Sequence, residues 1–262
     1  MMRTVEWKEL AGQKGPPQQV ALTIGTFDSL HIGHQRLIRG VVENRYGAIA
    51  AVCTFAQNPA KVLGNRPFTG SILTLPQKIE KLERLGIALV VLIDFSPEIS
   101  KLSGKSFLAL LAERLEVKKL VVGYDFHMGR GRDTNPQELV GILNGSATEL
   151  EIVPATQFGT ETVSSSRIRR LVAQGRFVEA REMLQDDFRL DLRGIAPRPA
   201  DDFSLIRASD IEQVIPRAGT YRVRFTNDKL DIPGTVNIEE QRLTWQTEFA
   251  GKVQEIRFIE RE

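Results

Sequence analysis

Between Val20 and Gln185, short apolar runs alternate with segments whose apolar residues fall at helical spacing, and this alternation constrains the fold more than any other feature. The runs VALTIGTF, YGAIAAVCTF, IALVVLIDF, VKKLVVG and ATELEIVPA are short, as strands are. HQRLIRGVVENRY places Leu37, Ile38, Val41 and Val42 on one face of an expected helix. LPQKIEKLERL predicts another, stopped at Gly86; KSFLALLAERL a third; NPQELVGILNG a fourth, with Pro136 in its first turn. SSSRIRRLVAQG and FVEAREMLQ complete the series. Strands and helices in this order build βαβ units and a parallel sheet covered on both faces, an α/β fold. Ligands of such sheets sit beyond the carboxyl ends of the strands. The loops after LTIGTF, AVCTF and LVVG, and the segment around TVSSS, are therefore where chemistry is expected.

After residue 187 the period changes. LRGIAPRPADDF is rich in Pro and Asp and reads as a boundary or loop. TYRVRFT, QRLTWQTEF and KVQEIRFIE then alternate with period two, as half-buried antiparallel strands do. The expected organisation is an α/β domain over residues 1–187 and a small all-β module over residues 188–262, which 262 residues accommodate.

Composition narrows the function classes. A net charge of +2 is too small to argue for nucleic acid or an anionic membrane as partner. The opening MMRTVEWKELAGQ lacks an apolar signal core, and no stretch reaches the roughly 18–20 apolar residues of a membrane span. The single Cys53, inside AIAAVCTF, excludes an intramolecular disulfide and fits a cytoplasmic chain. It reads as a core strand residue, with a nucleophile as the alternative.

The segment GTFDSLHIGHQRLI places His31, Gly33 and His34 where a strand gives way to a helix. Unpaired N–H groups and the dipole at a helix start attract phosphate. Two imidazoles three residues apart can face that anion, and glycine at 33 leaves room for a phosphate to approach the backbone. Histidine donates hydrogen bonds in either protonation state and gains charge near neutral pH, so the pair can hold a triphosphate in line and stabilise the charge of a transferring phosphoryl group. Two alternatives stand beside this: incidental surface histidines, and a metal pair for which distant His127 is the only further histidine.

A second signal is TVSSSRIRR, in which Ser164, Ser165 and Ser166 precede a helix carrying Ile168, Leu171 and Val172. One serine is an ordinary N-cap; three serines followed by Arg167, Arg169 and Arg170 suit a polyphosphate clamp. A third is VVGYDFHMGRGRDTN, where Gly123, Gly129 and Gly131 let backbone close around a ligand and Asp125, Arg130 and Arg132 offer polar recognition. Its alternative is a flexible surface loop.

Together these segments resemble the bacterial bifunctional riboflavin kinase/FMN adenylyltransferases, the FAD synthetases, within the HxGH nucleotidyltransferases. The family pattern runs G-x-F-D-G-x-H-x-G-H, T-F-x-P-H-P, V-G-x-D-F-x-F-G-x-x-R and [IV]-S-S-[ST]-x-I-R. Here stand Gly25-Thr26-Phe27-Asp28 with His31-Ile32-Gly33-His34, then Thr54-Phe55 and Pro59. Val122-Gly123, Asp125-Phe126, Gly129 and Arg132 follow, then Val163-Ser164-Ser165-Ser166 and Ile168-Arg169. The match covers roughly residues 20–185.

The resemblance implies a Rossmann-like module that binds ATP with Mg²⁺, transfers AMP to FMN and releases pyrophosphate and FAD. It implies ATP contacts from Gly25, Thr26, Phe27, Asp28, Gly33, Gly123, Asp125, Phe126, Ser164, Ser165 and Ser166. His31, His34 and Arg169 would act on the phosphates from two helix starts, and Phe55, Asn58 and Arg132 would meet the flavin. Departures are Ser29 for the family's glycine, Gln57 and Asn58 for its Pro and His, and Met128 for an aromatic. Asn58 still hydrogen-bonds but carries no charge. The kinase segment G-F-P-T-A-N is missing, with Pro197, Arg198, Pro199 and Ala200 at its expected place. The barrel-like module is accordingly expected to be a shortened relic without riboflavin kinase activity. A different phosphomonoester acceptor, or a non-catalytic flavin- or nucleotide-binding protein, are the competing readings.

Overall fold

A computed structural model describes residues 1–12, 15–44, 46–63, 68–200, 202–229, 231–239, 241–246 and 253–262. Parts of the expected loop at 11–19, of the helix reading through Tyr46, of the Pro/Asp-rich boundary, and of the strands read through Phe249 and from Lys252 lie outside them. The chain divides into two compact units, residues 1–67 with 78–162 and residues 68–77 with 163–262.

In the first unit, β1 (Arg3–Glu6), α1 (Trp7–Gly12), β2 (Gln18–Ile24), α2 (Ile32–Val42), β3 (Ile49–Phe55) and α3 (Pro59–Leu63) come first. Helix α4 (Leu75–Arg84) begins in the second unit and continues in the first. Then follow β4 (Leu89–Ile93), α5 (Pro97–Ser100), α6 (Gly104–Ala112), β5 (Leu115–Gly123), α7 (Pro136–Leu143), β6 (Glu149–Val153) and the small pair β7 (Gln157–Phe158) and β8 (Glu161–Thr162). The main sheet has the order β1-β4-β3-β2-β5-β6, with every pairing parallel. The expected α/β sheet is thus present with one strand more than the apolar runs predict. Strand β1 pairs Arg3 to Leu89 at the edge.

Its central strands explain themselves. The last five residues of β2 are all buried, as both faces are covered. Val20, Leu22, Ile24, Cys53, Val91, Leu120 and Val122 pack into one core. Cys53 is fully buried and its thiol is pushed up by that burial, which removes the nucleophile reading. Helix α2 buries Leu37, Ile38 and Val41, whereas Val42, read on the same face, is exposed.

From β2 the chain builds outward through β3 and β4, then returns to place β5 on the other side of β2. The switch point between β2 and β5 is where an open sheet leaves a crevice at its carboxyl end. Two of the motif loops leave these two strands.

The second unit holds α8 (Ser165–Ala173), α9 (Phe177–Leu184) and a sheet of β9 (Arg189–Asp191), β10 (Arg198–Ala200), β11 (Phe203–Arg207), β12 (Gly219–Thr226), β13 (Asp231–Glu239), β14 (Arg242–Gln246) and β15 (Glu255–Arg261). Its order is β10-β11-β14-β13-β12-β15-β9, antiparallel and curled as a barrel-like module. Tyr221, Val223 and Phe225 alternate inward from β12. Phe177 of α9 stacks on Phe258 with ring centroids 4.9 Å apart. Residues 198–200, expected as loop, form the edge strand β10. Gln213 is buried and knits the unit internally. It donates to the carbonyls of Ile72 and Arg189 (both 2.8 Å) and accepts from the Asp191 amide (2.6 Å).

Candidate active site

The loop from Gly25 to His31 leaves β2 with two buried non-glycine residues in the left-handed region, Phe27 and Leu30, both at φ 48°. Such residues cost on the order of 1–3 kcal/mol each and persist only where neighbours hold them. The Thr26 carbonyl accepts from Thr54 Oγ1 (3.1 Å) and Lys78 Nζ (3.0 Å). Buried Asp28 accepts from Asn58 Nδ2 (3.3 Å), joining the loops after β2 and β3. Asn58 Oδ1 in turn accepts from the Ala60 amide (3.1 Å). Phe55, half-buried, meets Phe95 edge-on at 5.5 Å.

His31 caps α2: its Nδ1 accepts the His34 amide at 3.1 Å. That bond leaves the proton of the neutral ring on Nε2, which makes Nε2 a donor. The His31 and His34 rings stack 3.8 Å apart at 11°, and His34 meets the Phe27 ring edge-on at 5.2 Å. His34 Nδ1 is buried without a hydrogen-bond partner among the described residues. A buried polar nitrogen left unpaired calls for a ligand or another compensating role.

Burial, reinforced by the charge of Lys81, pushes the His31 pKa down to about 4, although its backbone hydrogen bond acts in the opposite sense. Burial, His31 and Lys78 hold His34 well below the usual imidazole range. The expectation that the pair gains charge near neutral pH is therefore revised: without an anion beside them, both rings are neutral hydrogen-bonding groups. Gly33 also has a reason beside the one read in the sequence. A Cβ there would stand 3.1 Å from the His31 ring, so glycine protects the stack.

Lys78 and Lys81, on one face of α4, escaped the sequence reading. They are buried to 5% and 9% exposure. Lys78 Nζ donates to the carbonyls of Thr26 and Phe55, the latter at 3.2 Å. Their signal was Lys78 beside Ile79 and Lys81 beside Leu82 in a charged helix, a pattern that normally denotes a solvated edge.

The third motif is an ordered turn. Met128 and Thr134 bridge, and Asp133 Oδ1 accepts from the Gly104 amide (3.0 Å) and Thr134 Oγ1 (2.9 Å). Phe126 packs against the core, while Asp125 and Arg132 are exposed; Arg132 is held at φ 63°. Gly123 lies against the Asp125 carboxylate, which a Cβ would approach to 3.1 Å.

In the second unit, Ser164 caps α8 by accepting the Arg167 amide at 3.2 Å, while Ser165 is half-buried and Ser166 exposed in the first turn. Ile168, Leu171 and Val172 are buried, as the spacing predicts. Arg169 is half-buried, its Nε donating to the Gly70 carbonyl at 2.9 Å. Among the described residues, no three of His, Cys, Asp or Glu gather as a metal site. Nor is any described helix long and apolar enough to cross a membrane.

The FAD synthetase family model matches residues 13–167. The chain belongs to the FAD synthetase family. It is a nucleotidyltransferase enzyme of that family with a Rossmann-like domain and a barrel-like module. The bifunctional riboflavin kinase/FMN adenylyltransferase of Listeria monocytogenes is 29% identical over 216 residues, covering 78% of this chain and 67% of the relative. That of Escherichia coli K12 is 26% identical over 234 residues, covering 86% and 74%. A protein named FAD synthetase from Listeria monocytogenes is 27% identical over 165 residues, covering 62% and 67%. A Streptococcus pneumoniae structure described as a macrolide-efflux protein shares the fold, with a TM-score of 0.81 over 100% of this chain and 91% of that one at 21% identity.

Proposed function

We propose that this FAD synthetase transfers AMP from ATP to FMN and does not phosphorylate riboflavin. The observation that carries the transfer is the stacked, neutral His31–His34 pair at the start of α2, with a buried ring nitrogen that has no partner among the described residues. A phosphate oxygen of FMN attacks the α-phosphorus of ATP. One P–O bond forms as the bond to the β-phosphate bridging oxygen breaks, and pyrophosphate leaves. Neutral imidazole N–H groups donate to phosphate oxygens as their charge grows, and positioning with electrostatics supplies most of the rate.

Gly25 to Asp28 and Gly33 shape the phosphate end of the ATP site, and Gly123, Asp125 and Phe126 its nucleoside end. Ser164, Ser165, Ser166 and Arg169 act on the polyphosphate, where hydroxyls, first-turn amides and a guanidinium suit oxyanions. Phe55, Asn58 and Arg132 serve the flavin. The donors around the histidines, two imidazoles and two lysines, suit phosphate oxygens better than a metal. Mg²⁺ would accordingly enter with ATP, held mainly by the phosphates, and neutralise part of their charge. The inactive kinase module is inferred from Pro197 to Ala200 at the place of G-F-P-T-A-N, where an edge strand runs.

The test is purified protein with ATP and Mg²⁺ supplied with either FMN or riboflavin. FAD and pyrophosphate from FMN, with no FMN from riboflavin, is the expected result. FMN formed from riboflavin overturns the second half; FMN left unconverted overturns the first.

A further inference from the structure

We propose that Lys78 is a positioning residue for adenylyl transfer: its ammonium ties the carbonyls of Thr26 and Phe55 and so fixes the left-handed turn that seats the two imidazoles. The proposal rests on the adenylyltransferase reading above and deepens it.

The core face of a helix is an expensive place for a cation, because an ammonium taken out of water must recover its hydrogen bonds. Lys78 is nonetheless 5% exposed, and its Nζ recovers bonds from Thr26 O at 3.0 Å and Phe55 O at 3.2 Å. Those carbonyls lie where the chain leaves β2 and β3, so one side chain of α4 gathers the ends of two adjacent strands. The Thr26 carbonyl also accepts from Thr54 Oγ1.

Two donors thus hold the peptide immediately before Phe27, the first strained residue of the loop. Phe27 is 1% exposed, and its ring is the edge-on neighbour of His34. The path from Lys78 runs through the Thr26 carbonyl and the Phe27 backbone to the His34 ring. A leucine or methionine would fill the volume but hold neither carbonyl. The charge serves the site a second time. His34 faces Lys78 and His31, while Lys81, one turn further along α4, acts on His31, so the lysines help keep the imidazoles uncharged until an anion arrives.

The experiment uses the full chain as wild type, Lys78→Met, Lys78→Arg and Thr54→Val. It measures kcat and KM for ATP in FAD synthesis, and titrates ¹⁵N-labelled imidazoles by NMR without substrate. The sequence has three histidines, and exposed His127 is the internal control. Lys78→Met is expected to lower kcat about 100-fold, on the scale of lost transition-state positioning. It should move the His34 titration upward and leave His127 unchanged. Lys78→Arg should recover part of kcat, and Thr54→Val should lower kcat several-fold with the His34 titration unmoved.

Wild-type kcat and an unmoved His34 in Lys78→Met overturn the proposal. Should Lys78→Met fail to fold, Thr54→Val decides: a several-fold loss in kcat supports the held turn, and wild-type kcat overturns it. A wild-type enzyme that makes no FAD contradicts the adenylyltransferase reading instead, and the imidazole titration still decides the role of Lys78.

Discussion

His31 accepts the backbone N–H of His34 through Nδ1 at 3.1 Å, and the two rings stack 3.8 Å apart. One side chain therefore caps α2 and fixes its own tautomer, with the remaining N–H on Nε2. Capping is usually left to Ser, Asp or Asn. Histidine here joins the stability of the helix start to the chemistry proposed for it.

That arrangement predicts a particular pH dependence. The folded-state pKa of His31 lies at about 4, below the unfolded value near 6.5. Above pH 6.5 both states are neutral and stability is unaffected. As pH falls below 6.5, the unfolded chain takes up a proton that the folded chain refuses, so stability falls, by about 2 kcal/mol at pH 5 for one such group. His34 shifts in the same direction and adds to the loss. Urea melts at pH 7 and pH 5 check this, and His31→Asn, which keeps a capping acceptor, should lose less on acidification than the wild type.

Gly33→Ala should separate stability from activity. Gly33 is the second residue of α2, in its first turn, where alanine gains less over glycine than the roughly 0.5–1 kcal/mol of a helix interior. The new Cβ, however, stands 3.1 Å from a His31 ring that is both stacked and hydrogen-bonded. The expected outcome is a melting temperature at or near that of the wild type, with kcat for FAD formation lowered about 10-fold by ring displacement.

Arg169 should not be replaceable by lysine. Its Nε donates to the Gly70 carbonyl, which orients the planar guanidinium as an ammonium would not. Both Arg169→Lys and Arg169→Ala are expected to lower kcat/KM for ATP by about 10- to 100-fold, on the scale of one lost charge-stabilising donor. Initial rates across an ATP series measure it.

Gln213→Leu is expected to destabilise without touching chemistry. The glutamine serves the Ile72 and Arg189 carbonyls, Gln77 and the Asp191 amide, and leucine would withdraw all four of these hydrogen bonds from a buried place. A loss of about 3 kcal/mol or more in chemical denaturation is the expected size.

The sequence revealed what is local. The inner strands β2 to β5 stand out because a sheet covered on both faces demands short apolar runs, and the histidine and serine motifs because their spacing fixes a helix start. Strand β1 escaped notice because, at the sheet edge, only Val5 of RTVE is buried. Strand β13 was obscured by Pro233 and Gly234. The buried lysines of α4 could not be read, since a lysine on an amphipathic helix gives no sign of which carbonyls it will meet. Arg169 and Gly70 are 99 positions apart, and Gln213 and Ile72 are 141 apart. Contacts of that range have no local pattern to betray them.

Single-turnover conversion of FMN and radiolabelled ATP to FAD tests the two imidazoles at the start of α2 most directly. Wild type should form FAD and pyrophosphate together, while His31→Ala and His34→Ala, folded by circular dichroism, should each be slower by about 100-fold or more. Equal rates in all three proteins would contradict the role proposed for the two imidazoles.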